Sequence, residues 1–256
     1  MKPIKGLLID LDGVIYNDSR IIEGAVGIIE WLQQQKIPFR FITNTTMKNR
    51  DTICKKLAGM GINVEKSAIF SAVYAASIFV RQNKNATCHF LLTDDAKAEF
   101  PVTSSDTGSA DYVVVGDLGK EVTFEKLNLA FQKLLDGAEL IALQKNRFWL
   151  SDDGFTLDTG AFVALLEFAS NKTATVIGKP SRLFFEMALK DLKLSPAEVL
   201  MIGDDVESDI VGASNVNIQT CLVQTGKFRE MDLKNSAIKP DHILPSIKYL
   251  KDLLKS

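Results

Sequence analysis

Short apolar runs alternate with longer amphipathic stretches along the whole chain. The apolar runs predict buried strands, and the stretches with apolar residues at helical spacing predict helices. The predicted strands cover residues 6–10, 39–43, 68–70, 88–92, 112–115, 140–143, 173–178, 198–203, 218–223 and 241–244. The predicted helices cover residues 24–35, 48–58, 72–81, 124–135, 161–170, 182–192, 208–213 and 246–254.

This alternation favours an α/β fold with a doubly wound, Rossmann-like parallel sheet and helices on both of its faces. The carboxyl ends of parallel strands meet at one edge of the sheet, which is where ligands bind in open folds of this class. The residues that directly follow each strand are therefore the first candidates for function.

Composition narrows the functional classes. The chain has 256 residues, of which 46% are hydrophobic, and a formal net charge of −2. This length suits one large domain or two smaller ones, and without a basic block or a long apolar segment we expect neither nucleic-acid nor membrane binding. The three cysteines, Cys54, Cys88 and Cys221, are widely spaced. We expect them to be reduced, buried thiols of a cytoplasmic protein.

The first predicted strand ends in two carboxylates. In "LLIDLDGVIY", Asp10 follows three apolar residues, and Asp12 and Gly13 come next. Side chains two apart on a strand point to the same side, so the two carboxylates are expected to repel each other or to share a cation. A surface turn would explain Asp12 and Gly13. It would not explain Asp10.

Two further strands end in polar or basic residues. "FRFITNTT" places Thr43 and Asn44 at the end of its strand, followed by Thr45 and Thr46. Helix capping is an alternative explanation, mainly for the last two threonines. "VIGKPS" places Lys179 after another strand. A single lysine is more often a solvated surface group.

The strand "VLMIG" leads into three more carboxylates, Asp204, Asp205 and Asp209. Asp205 or Ser208 could cap the helix that follows, but capping does not account for all three acidic residues. Two charges about 5 Å apart repel by roughly 3 kcal/mol at an effective dielectric constant of about 20. Carboxylates crowded at one sheet edge therefore require cations, and Mg²⁺ suits oxygen ligands and substrate phosphates. The pattern indicates a site for magnesium and phosphate.

In this order, "DLDGVIY", "ITNTT", "GKP" and "GDD" with Asp209 resemble the four motifs of haloacid dehalogenase (HAD) superfamily phosphatases, and the resemblance covers essentially the whole chain. The chain resembles the NagD-type capped branch of that superfamily. The resemblance implies that Asp10 is the nucleophile that becomes an aspartyl phosphate. Asp12 would be the general acid and base, and its backbone carbonyl would ligate Mg²⁺ together with Asp10.

The same resemblance gives roles to the other motif residues. Thr43 and Asn44 would hold phosphoryl oxygens, Lys179 would neutralise negative charge, and Asp204 would ligate Mg²⁺. Asp205 and Asp209 would orient waters or Lys179 from outside the ligand set. Some relatives carry Ser at the position of Asp12, so the retained carboxylate favours efficient hydrolysis here.

The spacing of the motifs leaves room for a smaller α/β cap between the second and third of them. We expect the catalytic core to comprise residues 1–81 and 174–256 and the cap to comprise residues 82–173. By resemblance, a cap loop within 146–162 reads the substrate, with candidates Arg147, Trp149, Asp158, Thr159 and Gly160. The alternative is a β-hairpin around Asp153 and Gly154, followed by a capped helix, with Trp149 merely packed.

The leading hypothesis is a Mg²⁺-dependent phosphatase acting on a small phosphorylated metabolite. A phosphomutase is less favoured because those relatives carry an insertion directly after the first motif. A dehalogenase would need no metal. The alternative from another class is a regulatory module that is phosphorylated on Asp10 and turns over slowly. The presence of Asp12, the expected hydrolytic base, disfavours this alternative.

Related capped phosphatases pair through their caps, so a homodimer is expected.

Overall fold

The computed structural model describes residues 3–104, 108–151 and 154–255. Contacts divide the chain into two compact units. The first unit comprises residues 1–43, 53–70 and 179–256, and the second comprises residues 44–52 and 71–178. The segment 71–81, which we assigned to the core, groups with the second unit by contacts. The functional division at residues 82 and 173 stays a prediction.

The strands, in chain order, are β1 (Gly6–Asp10), β2 (Tyr16–Asn17), β3 (Arg20–Ile21), β4 (Phe39–Thr43), β5 (Ile69–Ser71), β6 (Thr87–Leu91), β7 (Thr103–Ser104), β8 (Tyr112–Val115), β9 (Glu139–Ala142), β10 (Phe148–Ser151), β11 (Gly154–Leu157), β12 (Thr175–Val176), β13 (Val199–Gly203), β14 (Gln219–Val223) and β15 (His242–Leu244).

The α-helices are α1 (Ala25–Gln34), α2 (Arg50–Gly59), α3 (Ala72–Val80), α4 (Asp94–Lys97), α5 (Phe124–Leu135), α6 (Thr159–Ser170), α7 (Arg182–Leu192), α8 (Gly212–Ser214), α9 (Glu230–Asn235) and α10 (Leu250–Lys255). Short 3₁₀ turns cover Lys66–Ala68, Gly119–Glu121, Pro196–Glu198 and Ile247–Tyr249, and a π-helical turn covers Val206–Val211. None of the helices in the described ranges is long and apolar enough to cross a membrane.

The first unit is built on a six-stranded sheet with the order β15-β14-β13-β1-β4-β5. Strand β1 runs parallel to both of its neighbours, β13 and β4. All five residues of β1 are buried, because helices cover both faces of a doubly wound sheet. The chain continues from β1 to β4 on one side and returns to β13 on the other. The carboxyl ends of β1 and β13 therefore flank a topological switch point.

The second unit contains a five-stranded parallel sheet with the order β12-β9-β8-β6-β7. Its core packs α5 and α6 against the sheet through apolar residues such as Val113, Leu134, Leu140 and Leu166. The antiparallel hairpin β10–β11 precedes α6. The predicted α/β class is thus confirmed, since both units contain parallel sheets with helices.

The structure differs from the predicted elements at a few places. The helix predicted over 208–213 is instead the π-helical turn Val206–Val211 followed by α8. The short hairpin β2–β3 and helix α9 were not predicted, because two-residue strands and a six-residue helix carry too little apolar periodicity. Cys88 and Cys221 are buried as expected, whereas Cys54 is half-buried.

Candidate active site

Strand β1 places Asp10 at its carboxyl end, where the side chain is buried and 7% exposed. Its Oδ1 accepts a hydrogen bond from the backbone N–H of Leu11 at 2.8 Å and lies 2.8 Å from Nζ of Lys179. Burial raises the pKa of Asp10 above its usual value, and the ammonium of Lys179 opposes the increase. The structure therefore brings together two residues that are 169 positions apart, as the sheet-edge argument predicted.

Lys179 is buried between two carboxylates. Its Nζ donates to Oδ1 of Asp209 at 2.7 Å in addition to its contact with Asp10. Burial alone would lower the pKa of Lys179, but the charges of Asp10 and Asp209 raise it, so the ammonium stays charged. A buried charge of this kind is stable only because it is paired.

The π-helical turn Val206–Val211 positions Asp209. Asp205 caps this turn, because its Oδ1 accepts from the backbone N–H groups of Glu207 and Ser208 at 3.0 Å each. The backbone N–H of Asp205 donates to Oδ2 of Asp209 at 3.2 Å. A Cβ at Gly203 would lie 2.3 Å from Cβ of Asp209, so only glycine leaves room for that side chain.

Asp204 is 1% exposed and lies directly after β13. Its Oδ2 accepts from the backbone N–H of Lys227 at 2.5 Å. Within the described part of the chain, its buried Oδ1 receives no hydrogen bond. Burial and the neighbouring carboxylates of Asp10 and Asp209 raise the pKa of Asp204. A buried carboxylate oxygen without a donor is costly, and a cation is the group that would satisfy it.

One carboxylate oxygen from each of Asp10, Asp204 and Asp209 lies within 4.8 Å of the other two. Carboxylate oxygens at this spacing fit a divalent cation. Asp209 differs from the other two because both of its oxygens already accept hydrogen bonds, from Lys179 and from the backbone N–H of Asp205. The side chain of Asp12 is not part of this group, and the ligation of the metal by its backbone carbonyl stays a prediction. The residues present therefore fit the divalent metal that the sequence predicted.

Asp12 is exposed, unlike Asp10. It forms an isolated bridge with Tyr16, whose side chain is buried, and the backbone N–H of Gly13 donates to the carbonyl of Tyr16 at 2.7 Å. Nζ of Lys56 lies 3.8 Å from the centroid of the Tyr16 ring. Although the residue as a whole is exposed, the surrounding protein removes part of the hydration of the Asp12 carboxyl; this raises its pKa, and the charge of Lys56 opposes the increase. A raised pKa suits a group that must first donate a proton and then accept one.

Thr43 is the last residue of β4, the neighbour of β1, and Asn44 follows it. Asp10 is in register with Ile42, so Thr43, which is 2% exposed, lies one residue further toward the same sheet edge. Asn44 belongs to the second unit, where its Oδ1 lies 2.6 Å from the position that a Cβ on Gly178 would occupy. Gly178 is thus required for the approach of the Asn44 side chain.

The loop after β14 was not predicted as part of the site. Oγ1 of Thr225 donates to the carbonyl of Gly13 at 2.5 Å, and Lys227 supplies the hydrogen bond to Asp204. A Cβ on Gly226, which has a φ of +61°, would lie 2.1 Å from Oδ2 of Asp204. The sequence signal that could have identified this loop is "TGK", because it directly follows an apolar strand, as the other motifs do.

The predicted cap-loop residues lie in the second unit. Asp158 caps α6: its Oδ1 accepts from the backbone N–H of Thr159 at 2.7 Å and also from the side-chain amide of Gln144. A Cβ on Gly160 would lie 2.4 Å from the carbonyl oxygen of Asn146. These contacts match the capped-helix alternative, while a role in reading substrate stays a prediction. Arg147 is exposed; Asp153 and the side chain of Trp149 lie outside the described residues.

Comparison with known proteins places this geometry in a family. The family model described as haloacid dehalogenase-like hydrolase matches residues 7–102, and the one described as HAD-hydrolase-like matches residues 176–250. The phospholysine phosphohistidine inorganic pyrophosphate phosphatase of Danio rerio is 33% identical over 99% of this chain and 95% of its own length. The chain therefore belongs to the haloacid dehalogenase-like hydrolases.

Solved structures agree with this assignment. The p-nitrophenyl phosphatase from Archaeoglobus fulgidus is 26% identical and superposes with a TM-score of 0.89 over 99% of each chain. NagD from Escherichia coli K-12 superposes with a TM-score of 0.87 over 96% of this chain and 98% of its own, at 24% identity. The second similarity is one of fold, and it agrees with the resemblance of the motifs to the NagD-type branch.

Proposed function

We propose that this protein is a Mg²⁺-dependent phosphatase that hydrolyses a small phosphorylated metabolite through an aspartyl phosphate on Asp10. One observation carries the proposal: the nucleophile candidate Asp10 is held by the buried ammonium of Lys179 beside Asp204, whose Oδ1 has no donor among the described residues. The Asp10 carboxylate thus lies next to a fixed ammonium group and next to a carboxylate oxygen that could bind a metal ion. This arrangement suits phosphoryl transfer, in which positioning and charge stabilisation dominate.

In the first step, an oxygen of Asp10 forms a bond to phosphorus while the bond from phosphorus to the leaving oxygen breaks. Asp12 gives its proton to that oxygen. In the second step, Asp12 takes a proton from water, whose oxygen bonds to phosphorus and releases Asp10 and orthophosphate. Lys179, Thr43 and Asn44 hold the phosphoryl oxygens. When bound by Asp10, Asp204 and the Asp12 carbonyl, Mg²⁺ would neutralise charge on the transferring group.

The leaving group is proposed to be small. The names of the related proteins support a phosphatase, and they include inorganic pyrophosphate and p-nitrophenyl phosphate as substrates of those proteins. Candidate residues for recognising the leaving group are Asp158, Thr159 and Gly160. The scattered cysteines fit a reducing compartment, so we propose that the protein acts in the cytoplasm.

The test is hydrolysis of p-nitrophenyl phosphate and a panel of metabolite phosphates, with Mg²⁺ or with EDTA, by the wild type and Asp10→Asn. Asp191→Asn is the matched control, because Asp191 also pairs with a basic residue of the first unit, Arg40, at 2.6 Å. We expect turnover that requires Mg²⁺, persists in the control and falls by at least about 10⁴-fold in Asp10→Asn.

Two outcomes would contradict the proposal. Turnover that survives in Asp10→Asn would exclude the covalent route. A wild type that accumulates phosphate on Asp10 without releasing it would favour the alternative of a phosphorylated regulatory module, and the role given to Asp12 would be wrong.

We also propose that two copies pair through the second unit. The hairpin β10–β11 and helix α6 present exposed apolar side chains, with Phe155 80% exposed, Leu157 62% and Phe168 92%. Apolar surface of this kind on a folded unit is typical of an interface. Light scattering after size exclusion should give a dimer for the wild type and a monomer for Phe155→Ser combined with Phe168→Ser; monomeric wild type would refute the pairing.

A further inference from the structure

The loop that follows β14 is fixed at both of its ends within the first unit. At its start, the backbone N–H of Gln224 donates to the carbonyl of Leu244 in β15 at 2.9 Å. At its end, Phe228 packs against an apolar cluster to which the π-helical turn contributes, and that turn also carries Asp209. The three residues between these two anchors are the 225–227 loop, and they lie against the acidic group of the first sheet.

One carboxylate oxygen of Asp204 is enclosed by this loop and by Gly13. Oδ2 of Asp204 accepts from the backbone N–H of Lys227 at 2.5 Å. A Cβ would lie 2.1 Å from this oxygen if it were added to Gly226, and 1.9 Å from it if it were added to Gly13. Oδ2 is therefore satisfied by the protein. The other oxygen, Oδ1, receives no hydrogen bond from the described residues, so it is the one available to a cation.

Thr225 joins the same loop to the chain that follows Asp12. Its Oγ1 donates to the carbonyl of Gly13 at 2.5 Å, and a Cβ on Gly226 would lie 2.3 Å from Cα of Gly13. Gly13 directly follows Asp12, whose backbone carbonyl is an expected metal ligand. The hydroxyl of Thr225 thus fixes the backbone beside one expected ligand, while the N–H of Lys227 fixes the carboxylate of the other.

We propose that Thr225 and Gly226 are positioning residues for the divalent cation: the 225–227 loop holds the Asp204 carboxylate and the backbone of Asp12 at the separation that the ion requires. Neither positioning residue supplies a ligand atom. The loop acts through orientation, because it engages Oδ2 of Asp204 and so leaves Oδ1 for the ion. Groups that orient ligands in this way typically change metal affinity by about 10- to 100-fold.

This inference rests on the proposed function, because it takes Asp204 and the carbonyl of Asp12 as metal ligands. It differs from a purely structural role of the loop in its consequence. A structural loop would change the free energy of unfolding of the metal-free protein and leave its Mg²⁺ affinity unaltered. A positioning loop changes the Mg²⁺ affinity more than a matched loss of hydrogen bonding elsewhere in the same unit does.

The first test compares Thr225→Val with the control Thr220→Val. Thr220 is a buried residue near the start of β14, at the opposite end of the strand from the loop. Its Oγ1 donates to Oδ2 of Asp241 at 3.1 Å and accepts from the backbone N–H of Asp241 at 3.2 Å. Isothermal titration of Mg²⁺ without substrate measures the affinity, and urea denaturation in EDTA measures the stability.

The second test compares Gly226→Ala with the control Gly61→Ala. Both glycines have a positive φ, +61° at Gly226 and +88° at Gly61, so both substitutions strain the backbone. A Cβ on Gly61 would make an ordinary contact with Cγ2 of Val26 at 3.9 Å, whereas a Cβ on Gly226 would displace the Asp204 carboxylate. The pair therefore separates backbone strain from displacement of the ligand.

We expect the Mg²⁺ dissociation constant to rise by about 10-fold in Thr225→Val and by about 100-fold in Gly226→Ala, and to stay unchanged in both controls. Thr225→Ser keeps the hydroxyl group, so it should bind Mg²⁺ nearly as tightly as the wild type. If Gly226→Ala does not fold, the comparison of Thr225→Val with Thr225→Ser and Thr220→Val still decides the question.

The inference is overturned if Thr225→Val binds Mg²⁺ as tightly as Thr220→Val does, or if Thr225→Ser binds it as weakly as Thr225→Val does. A wild type that binds Mg²⁺ without hydrolysing any ester would remove the proposed function, yet the titrations of the variants would still decide the role of the loop. A wild type that does not bind Mg²⁺ would overturn both.

Discussion

Both units contain a parallel sheet whose strands end in polar residues, but the polar groups are satisfied in different ways. At the edge of the second sheet, Thr93, Asp117 and Gln144 follow β6, β8 and β9, and each makes hydrogen bonds within its own unit. At the edge of the first sheet, Asp10, Asp204 and Asp209 crowd together, and Oδ1 of Asp204 has no donor within the described residues.

The difference shows what separates a ligand site from a structural sheet edge. Side-chain type alone does not distinguish them, since carboxylates and hydroxyls occur at both edges. At these strand ends, the distinguishing feature is whether the protein itself completes the hydrogen bonding of the buried carboxylates. In the first unit it leaves buried negative charge that a cation would balance.

After Asp10→Asn, the largest effect is expected from Asp12→Asn, which removes the proposed proton donor and acceptor while leaving the buried carboxylates in place. Loss of general acid and base catalysis should lower kcat by about 10²- to 10⁴-fold with little change in KM. Steady-state kinetics with p-nitrophenyl phosphate would measure this. An unchanged kcat would show that another group moves the proton.

Lys179→Gln would leave Asp10 and Asp209 without their shared ammonium. Removing one member of a buried ionic cluster should lower the free energy of unfolding by about 3–5 kcal/mol, which urea denaturation would measure. The matched change in the second unit is Lys145→Gln, because Lys145 pairs with Glu167 while 41% exposed. That substitution should lower the free energy of unfolding by about 1 kcal/mol or less. Equal losses of unfolding free energy in the two variants would contradict the contrast between the two sheet edges.

Mg²⁺ should stabilise the protein more at high pH than at low pH. Burial and the charges of Asp10 and Asp209 raise the pKa of Asp204 from 3.8 to about 8. Without metal, the raised pKa means that the folded state holds the proton of Asp204 more tightly than the unfolded state does. The resulting contribution to the free energy of unfolding is complete below about pH 4 and is lost as the pH rises through 8. The metal binds the deprotonated form.

Mg²⁺ at about 100 times its dissociation constant adds about 2.7 kcal/mol to the free energy of unfolding. For a chain of this length, this raises Tm by roughly 5–10 °C. We expect that shift near pH 8.5 and a smaller one near pH 6, measured by differential scanning calorimetry. A larger shift near pH 6 would contradict the assignment of Asp204 as a ligand.

The smallest effect is expected at the start of α6. Asp158→Ala removes a helix cap and should lower the free energy of unfolding by about 1 kcal/mol, within the range of about 0.5–2 kcal/mol for such caps. If Asp158 also contacts substrate, KM will rise for some esters of the metabolite panel and not for others. If the substitution changes KM by the same factor for every ester of the panel, Asp158 acts only as a helix cap.

The sequence was sufficient to predict most strands of the two large sheets and the motif residues at their carboxyl ends, because each motif follows an apolar run typical of a buried strand. Asp10, Thr43, Lys179 and Asp204 all lie at the ends of, or directly after, strands or strand-like runs. Their convergence follows from parallel topology, which strand and helix alternation indicates.

The contacts that complete the site could not be predicted in the same way. Asp209 reaches Lys179 because residues 206–211 form a π-helical turn, whose single wide turn leaves no periodic pattern. Lys227 contributes its backbone N–H, which any residue could supply.

The central claim is that the carboxylates of the first sheet edge, and not those of the second, hold a divalent cation. Isothermal titration of Mg²⁺ into the wild type, Asp204→Asn and Asp117→Asn tests it most directly. We predict one site in the wild type, the same affinity in Asp117→Asn, and an affinity at least about tenfold lower in Asp204→Asn. Equal Mg²⁺ affinity in Asp204→Asn and the wild type would contradict the claim.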